Sequence, residues 1–112
     1  MGNNLIGDIY AIPVGYGILY FVGDNMETRI AVMGIIVENT DSVETLNAVL
    51  HDYGKYIIGR MGIPYRNRSL NIVSIAIDAP QDVISTLAGK IGNLSGVSVK
   101  TAYSNIITKN EA

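Results

Sequence analysis

Between Arg29 and Tyr103, strand-like runs and helix-period segments follow one another in the order β-α-β-β-α-β. Arg29–Val37 carries Ile30, Val32, Ile35, Ile36 and Val37, and the polar Glu38-Asn39-Thr40-Asp41 ends the run. A helix follows. Asp41 and Glu44 have the spacing of a capping box, in which a side-chain oxygen accepts an orphan backbone N–H. Val43, Leu46, Val49, Leu50 and Tyr53 then recur at helical spacing, and Gly54 stands where a closing residue takes a positive φ. Tyr56–Met61 reads as a second strand, Gly62–Arg68 as a loop, and Leu70–Ile77 as a third strand. Asp78-Ala79-Pro80 opens a second helix with the apolar stripe Val83, Ile84, Leu87, Ala88, Ile91 and Leu94, and Gly92 ends it. Ser95-Gly96 turns into a last strand, Val97–Tyr103. The expected fold is therefore α+β: a ferredoxin-like βαββαβ sandwich, a four-stranded antiparallel sheet with two helices on one face. We expect it over residues 26–105, with an apolar extension at 1–25 and a polar tail at 106–112.

A sheet covered on one side only should alternate apolar and polar residues. These strands do not. Ile30, Val32 and Ile36 point one way while Ala31, Met33, Ile35 and Val37 point the other, and Leu70, Ile72 and Ala76 oppose Val73, Ile75 and Ile77. Two helices can cover one face, so the other is expected to pack against a second copy of the chain, as contiguous apolar surface does. The competing reading is an over-hydrophobic sheet tolerated by a monomer. The composition agrees with a hidden surface, since charged residues are 16% of the chain against a usual ~25%.

Part of the apolar excess lies elsewhere. Ile9–Val22 is 14 residues without a charge. It is shorter than the ~20 residues of a spanning helix, Pro13, Gly15 and Gly17 interrupt it, and no Lys or Arg precedes it as in a signal peptide. No membrane role is expected, and a cytoplasmic location is. Two readings remain: a hairpin of Ile9–Ile12 with Ile18–Val22, or an extension ahead of a natural start at Met26, with a boundary at Gly23-Asp24-Asn25. We favour the extension.

Few residues offer chemistry. The chain has no cysteine, which removes thiolate catalysis and zinc–cysteine sites. His51 is the one histidine, and no metal-ligand spacing surrounds it, so no metal or other cofactor is expected. A site shared between chains is the one way His51 could take part. Gly15-Tyr16-Gly17 and Gly89-Lys90 complete neither a dinucleotide fingerprint nor a P-loop. Asn67-Arg68-Ser69 and Asn93-Leu94-Ser95 match a glycosylation pattern that matters only in a secreted protein. Lys55, Arg60, Arg66 and Arg68 form a stretch without an acid, suited to an anion or to a solvated loop. From Met26 onward eight basic residues balance eight acidic ones, and no helix-turn-helix remains, so DNA binding by this chain alone is not expected.

Two stretches carry a family resemblance. Ile58-Gly59-Arg60-Met61-Gly62-Ile63-Pro64, with its R-x-G-x-P core, precedes Asn71-Ile72-Val73-Ser74-Ile75, and Leu87 to Thr101 reads LAGKIGNLSGVSVKT. Together they resemble the small bacterial proteins described as iron-only hydrogenase system regulators, over about Glu27 to Tyr103. The resemblance implies an ACT-like, ferredoxin-like fold related to the C-terminal domain of the nickel-responsive repressor, and oligomers built through sheets. The nickel site of that repressor needs histidines and a cysteine, so nickel sensing is not carried over to a chain with one histidine and no cysteine.

The expected role is that of a small oligomeric regulatory domain without catalytic activity. Its ligand would be a small anionic metabolite, such as an amino acid. ACT-like assemblies tend to hold ligands near the first strand-to-helix loop, here Asn39-Thr40-Asp41, whose N–H groups suit an anion. Arg60, beside Gly59 and Gly62, is the side chain expected to hold a carboxylate through its planar fork, unless it makes a salt bridge between subunits or a hydrogen bond that fixes a loop. The alternatives are a structural scaffold for partner proteins and, last, an acylphosphatase-like hydrolase. The latter needs an arginine in the first strand-to-helix loop, where this chain has Glu38-Asn39-Thr40-Asp41.

Overall fold

The computed structural model describes residues 9–15, 17–22 and 27–109. The elements are β1 (Ile9–Val14), β2 (Gly17–Val22), β3 (Glu27–Val37), α1 (Val43–Asp52), β4 (Ile57–Tyr65), β5 (Leu70–Ala79), α2 (Gln81–Gly92) and β6 (Val97–Lys109). β3 to β6 form one antiparallel sheet in the order β4-β5-β3-β6, which with the two helices is the ferredoxin-like arrangement. The two strands that precede a helix, β3 and β5, lie in the middle. The strands that follow one, β4 and β6, form the edges.

The period-2 alternation of β3 sets the core. Ala31, Met33, Ile35 and Val37 are at most 1% exposed, and they meet Val73, Ile75 and Ile77 of β5 under the helices. Leu46 and Leu50 of α1, Tyr53 just after it, and Val83, Ile84, Leu87 and Ile91 of α2 close this layer. Each valine, leucine, isoleucine or methionine among them contributes roughly 1.5–3 kcal/mol through burial. No helix among the described residues is long and apolar enough to cross a membrane.

Three local expectations are corrected. The cap of the first helix is not Asp41: residues 40–42 form a 3-10 turn, and the Asp41 N–H donates to Asn39 Oδ1 at 3.0 Å. Asn39 sits two residues earlier and satisfies the orphan donor first. Gly54 does not take a positive φ; it opens a 3-10 turn to Tyr56, and the chain enters β4 directly. The expected loop at Gly62–Tyr65 is strand. Gly62 and Pro64 are loop signals, yet β4 is an edge strand, where a missing N–H is tolerated. Only Arg66–Arg68 form the turn, with Ser69 at φ 56.

β6 also outlasts its expected end, continuing to Lys109 opposite Glu27, so residues 106–109 belong to the strand and not to a tail. At that end Arg29 ties three elements. Its guanidinium lies 4.5 Å from the Tyr103 ring centroid, Nη1 donates to Gln81 Oε1 and Nη2 to the Ser104 carbonyl, both at 2.9 Å. Ile9–Val14 and Gly17–Val22, read above as hairpin or extension, pair as an antiparallel hairpin. The Tyr53 hydroxyl donates to the Pro13 carbonyl at 3.1 Å, which links the hairpin to the end of α1. Gly23-Asp24-Asn25 and Met26 lie outside the described residues.

Candidate ligand cleft and open sheet face

β4 carries two surfaces, one on each side. Arg60, Gly62 and Pro64 alternate onto the helix side, opposite Ile75, Val73 and Asn71 of β5. α1 does not cover them, and all three remain exposed. Between β4, β5 and α1 lies a cleft of about 240 Å³ with an apolar base of Val37, Val43, Leu46 and Val73. Asn47, Arg60 and Asn71 supply its polar groups. Arg60 Nη2 donates to Asn47 Oδ1 on α1, so the guanidinium is held at the rim. Gly62 keeps the cleft open, since a Cβ there would meet nothing within 4 Å.

The expected ligand residues divide into two places. Arg60 and Gly62 line the cleft; Asn39, Thr40 and Asp41 do not. Asn39 instead belongs to a latch between the β3–α1 connection and the turn into β6. Its Nδ2 donates to Ser95 Oγ at 3.2 Å, the buried Ser42 hydroxyl donates to the Ser95 carbonyl at 2.6 Å, and Glu38 N–H donates to the Gly96 carbonyl at 2.7 Å. Gly96 takes φ +67 beneath Asn39, an approach that a side chain would block.

Asn47 and Asn71 were missed by sequence reasoning. Reading β4 through to Tyr65 would have placed Arg60, Gly62 and Pro64 on one side, with Asn71 across from Pro64. His51 is exposed on α1, and no group of three or more His, Cys, Asp or Glu among the described residues could hold a metal.

On the other side of the sheet, the apolar surface is open. Val32 is 46% exposed, Ile36 37%, Met61 55% and Ile63 45%, and Ile30 and Tyr65 extend the patch along β3 and β4, with the half-buried Ile72 and Ala76 of β5 between them. Ser98 and Lys100 bring polar character to the β6 side, with Lys100 opposite Gly34. A contiguous apolar surface bounded by polar residues has the composition of an interface.

Comparison with known proteins gives a consistent answer. Residues 29–101 match the model of the TM1266-like family, described as an iron-only hydrogenase system regulator, a provisional assignment. The solved structure of the uncharacterized protein TM1266 from Thermotoga maritima is 31% identical, with a TM-score of 0.66. The match covers 68% of this chain and 96% of that one. No curated protein matches. The hairpin lies outside the matched residues, and the helices, the cleft, the latch and the sheet from Arg29 to Thr101 lie within them, so the chain belongs to the TM1266-like iron-only hydrogenase system regulator family.

Proposed function

We propose that this chain is an oligomeric, non-catalytic regulatory domain of the iron-only hydrogenase system. It self-associates through the open sheet face and binds a small anionic metabolite in the Arg60 cleft. The observation that carries this reading is the uncovered apolar face of β3, β5 and β4. Burying it against a second copy removes the exposure of Val32, Ile36, Met61 and Ile63 from water, the main driving force of association.

The cleft and the face share β4. Arg60 and Gly62 turn toward the cleft, while Met61 and Ile63 turn toward the open face. A ligand that orders β4 from one side therefore changes how well its other side packs, and binding and assembly are linked. One guanidinium and two amides are the polar side chains of the cleft. None of them serves as a general acid or base near neutral pH, which supports binding without turnover.

The test is the mass in solution by light scattering at micromolar concentration. A multiple of the monomer mass that falls on dilution is expected, and a monomer across the range refutes self-association.

A further inference from the structure

We propose that the Arg60 cleft takes a short apolar monocarboxylate that lacks an α-ammonium group, such as a branched 2-oxo acid, in preference to the corresponding amino acid. The inference rests on the reading of this cleft as the ligand site, and it adds the ligand's chemical class.

Size comes first. A volume of about 240 Å³ lies below the roughly 300–1,000 Å³ of sites for drug-sized ligands. A body of a few carbons fits.

Charge comes next. Arg60 is the sole cation of the lining, and the lining holds no carboxylate among the described residues. The bond to Asn47 uses one guanidinium donor and sets the side chain across the gap between strand and helix. The remaining donors of the fork suit a single carboxylate.

The base of the cleft decides between acids. Val37, Val43, Leu46 and Val73 meet the ligand's body with hydrocarbon. An α-ammonium group would enter beside a guanidinium with no negative side chain to neutralise it. Asn47 Oδ1 already accepts from Arg60, and Asn71 offers a neutral acceptor. Like charges placed this close repel, and neither asparagine supplies a compensating charge. A keto oxygen carries no such penalty and can accept from an asparagine N–H.

Isothermal titration of the full chain with 4-methyl-2-oxopentanoate, leucine and 3-methylbutylamine tests this. The oxo acid is expected to bind saturably, leucine roughly tenfold or more weakly, and the amine not at all. Gly62→Val, which fills the cleft where a Cβ meets nothing within 4 Å, should abolish the heat of binding and leave the thermal unfolding of the ligand-free protein unchanged. Arg60→Gln should weaken the oxo acid and not restore leucine. Leucine binding as tightly as the oxo acid, with loss in Gly62→Val, overturns the preference and keeps the cleft as a ligand site. Binding by none of the three, or binding that survives in Gly62→Val, overturns the preference and the site together.

Discussion

Replacing Gly96 with alanine tests the latch that fixes the β3–α1 connection. Gly96 holds φ +67, and a Cβ built there lies 2.6 Å from Asn39 Cβ and 2.9 Å from Asn39 N. The left-handed conformation costs a non-glycine residue about 1–2 kcal/mol. The contact falls on backbone, which cannot swing away as a long side chain would, and overpacking of this kind costs about 1–3 kcal/mol. Relief by moving the turn would stretch the bonds from Glu38 N–H to Gly96 and from Ser42 to Ser95, at 2.7 and 2.6 Å. The combined cost is about 3 kcal/mol. At ~4–8 °C per kcal/mol for a small domain, the melting temperature should fall by roughly 12–24 °C. Urea unfolding at fixed protein concentration measures the same quantity without extrapolation in temperature. Gly62→Ala is the control: nothing lies within 4 Å of its Cβ, and its φ is not positive, so it should stay within about 1 kcal/mol of the parent. A Gly96→Ala protein within about 0.5 kcal/mol of the parent would refute the reasoning.

Other outcomes follow from the same geometry. Val32→Glu places a charge in the open face, where burial in an interface costs several kcal/mol per ion. It should weaken self-association by about three decades or more in Kd, read by sedimentation velocity, while monomer unfolding changes by only about 1 kcal/mol. Retention of the parent's assembly would contradict the interface. Arg29→Ala removes the donors to Gln81 and Ser104 and the stacking on Tyr103. A loss of about 1–3 kcal/mol is expected in chemical denaturation, whereas Arg66→Ala, on an exposed turn, should change stability by less than about 0.5 kcal/mol. Leu87→Ala opens the core under α2, where Leu87 is fully buried, and should cost about 2–5 kcal/mol in the same assay.

Much of the fold was legible because local pattern and tertiary role agree. The two faces of β3 separate by simple alternation, and burial follows it residue by residue from Ala31 to Val37. The ends of the elements were less legible for physical reasons. Gly62 and Pro64 are punctuation in an isolated peptide, but an edge strand tolerates both. Asp41 and Glu44 matched a cap by spacing, yet Asn39 competes two residues earlier, and only the position of Ser95 gives Asn39 its second bond. The candidate site was half legible. Arg60 and Gly62 stand out by charge and by the absence of a side chain. Asn47 joins them only when the fold brings α1 beside Arg60, a contact that no local pattern specifies.

The central claim is that the open face of β3, β5 and β4 is buried against a second copy. A chain without cysteine makes the most direct test simple, because one introduced thiol reports one position. Ile36→Cys places it in the open face, and Thr45→Cys places an exposed reference thiol on the helix side. The rate of maleimide labelling at micromolar protein should be strongly suppressed at position 36 relative to position 45, and the suppression should vanish on dilution. Equal rates at both positions and at every concentration would show the face open to solvent and contradict the account.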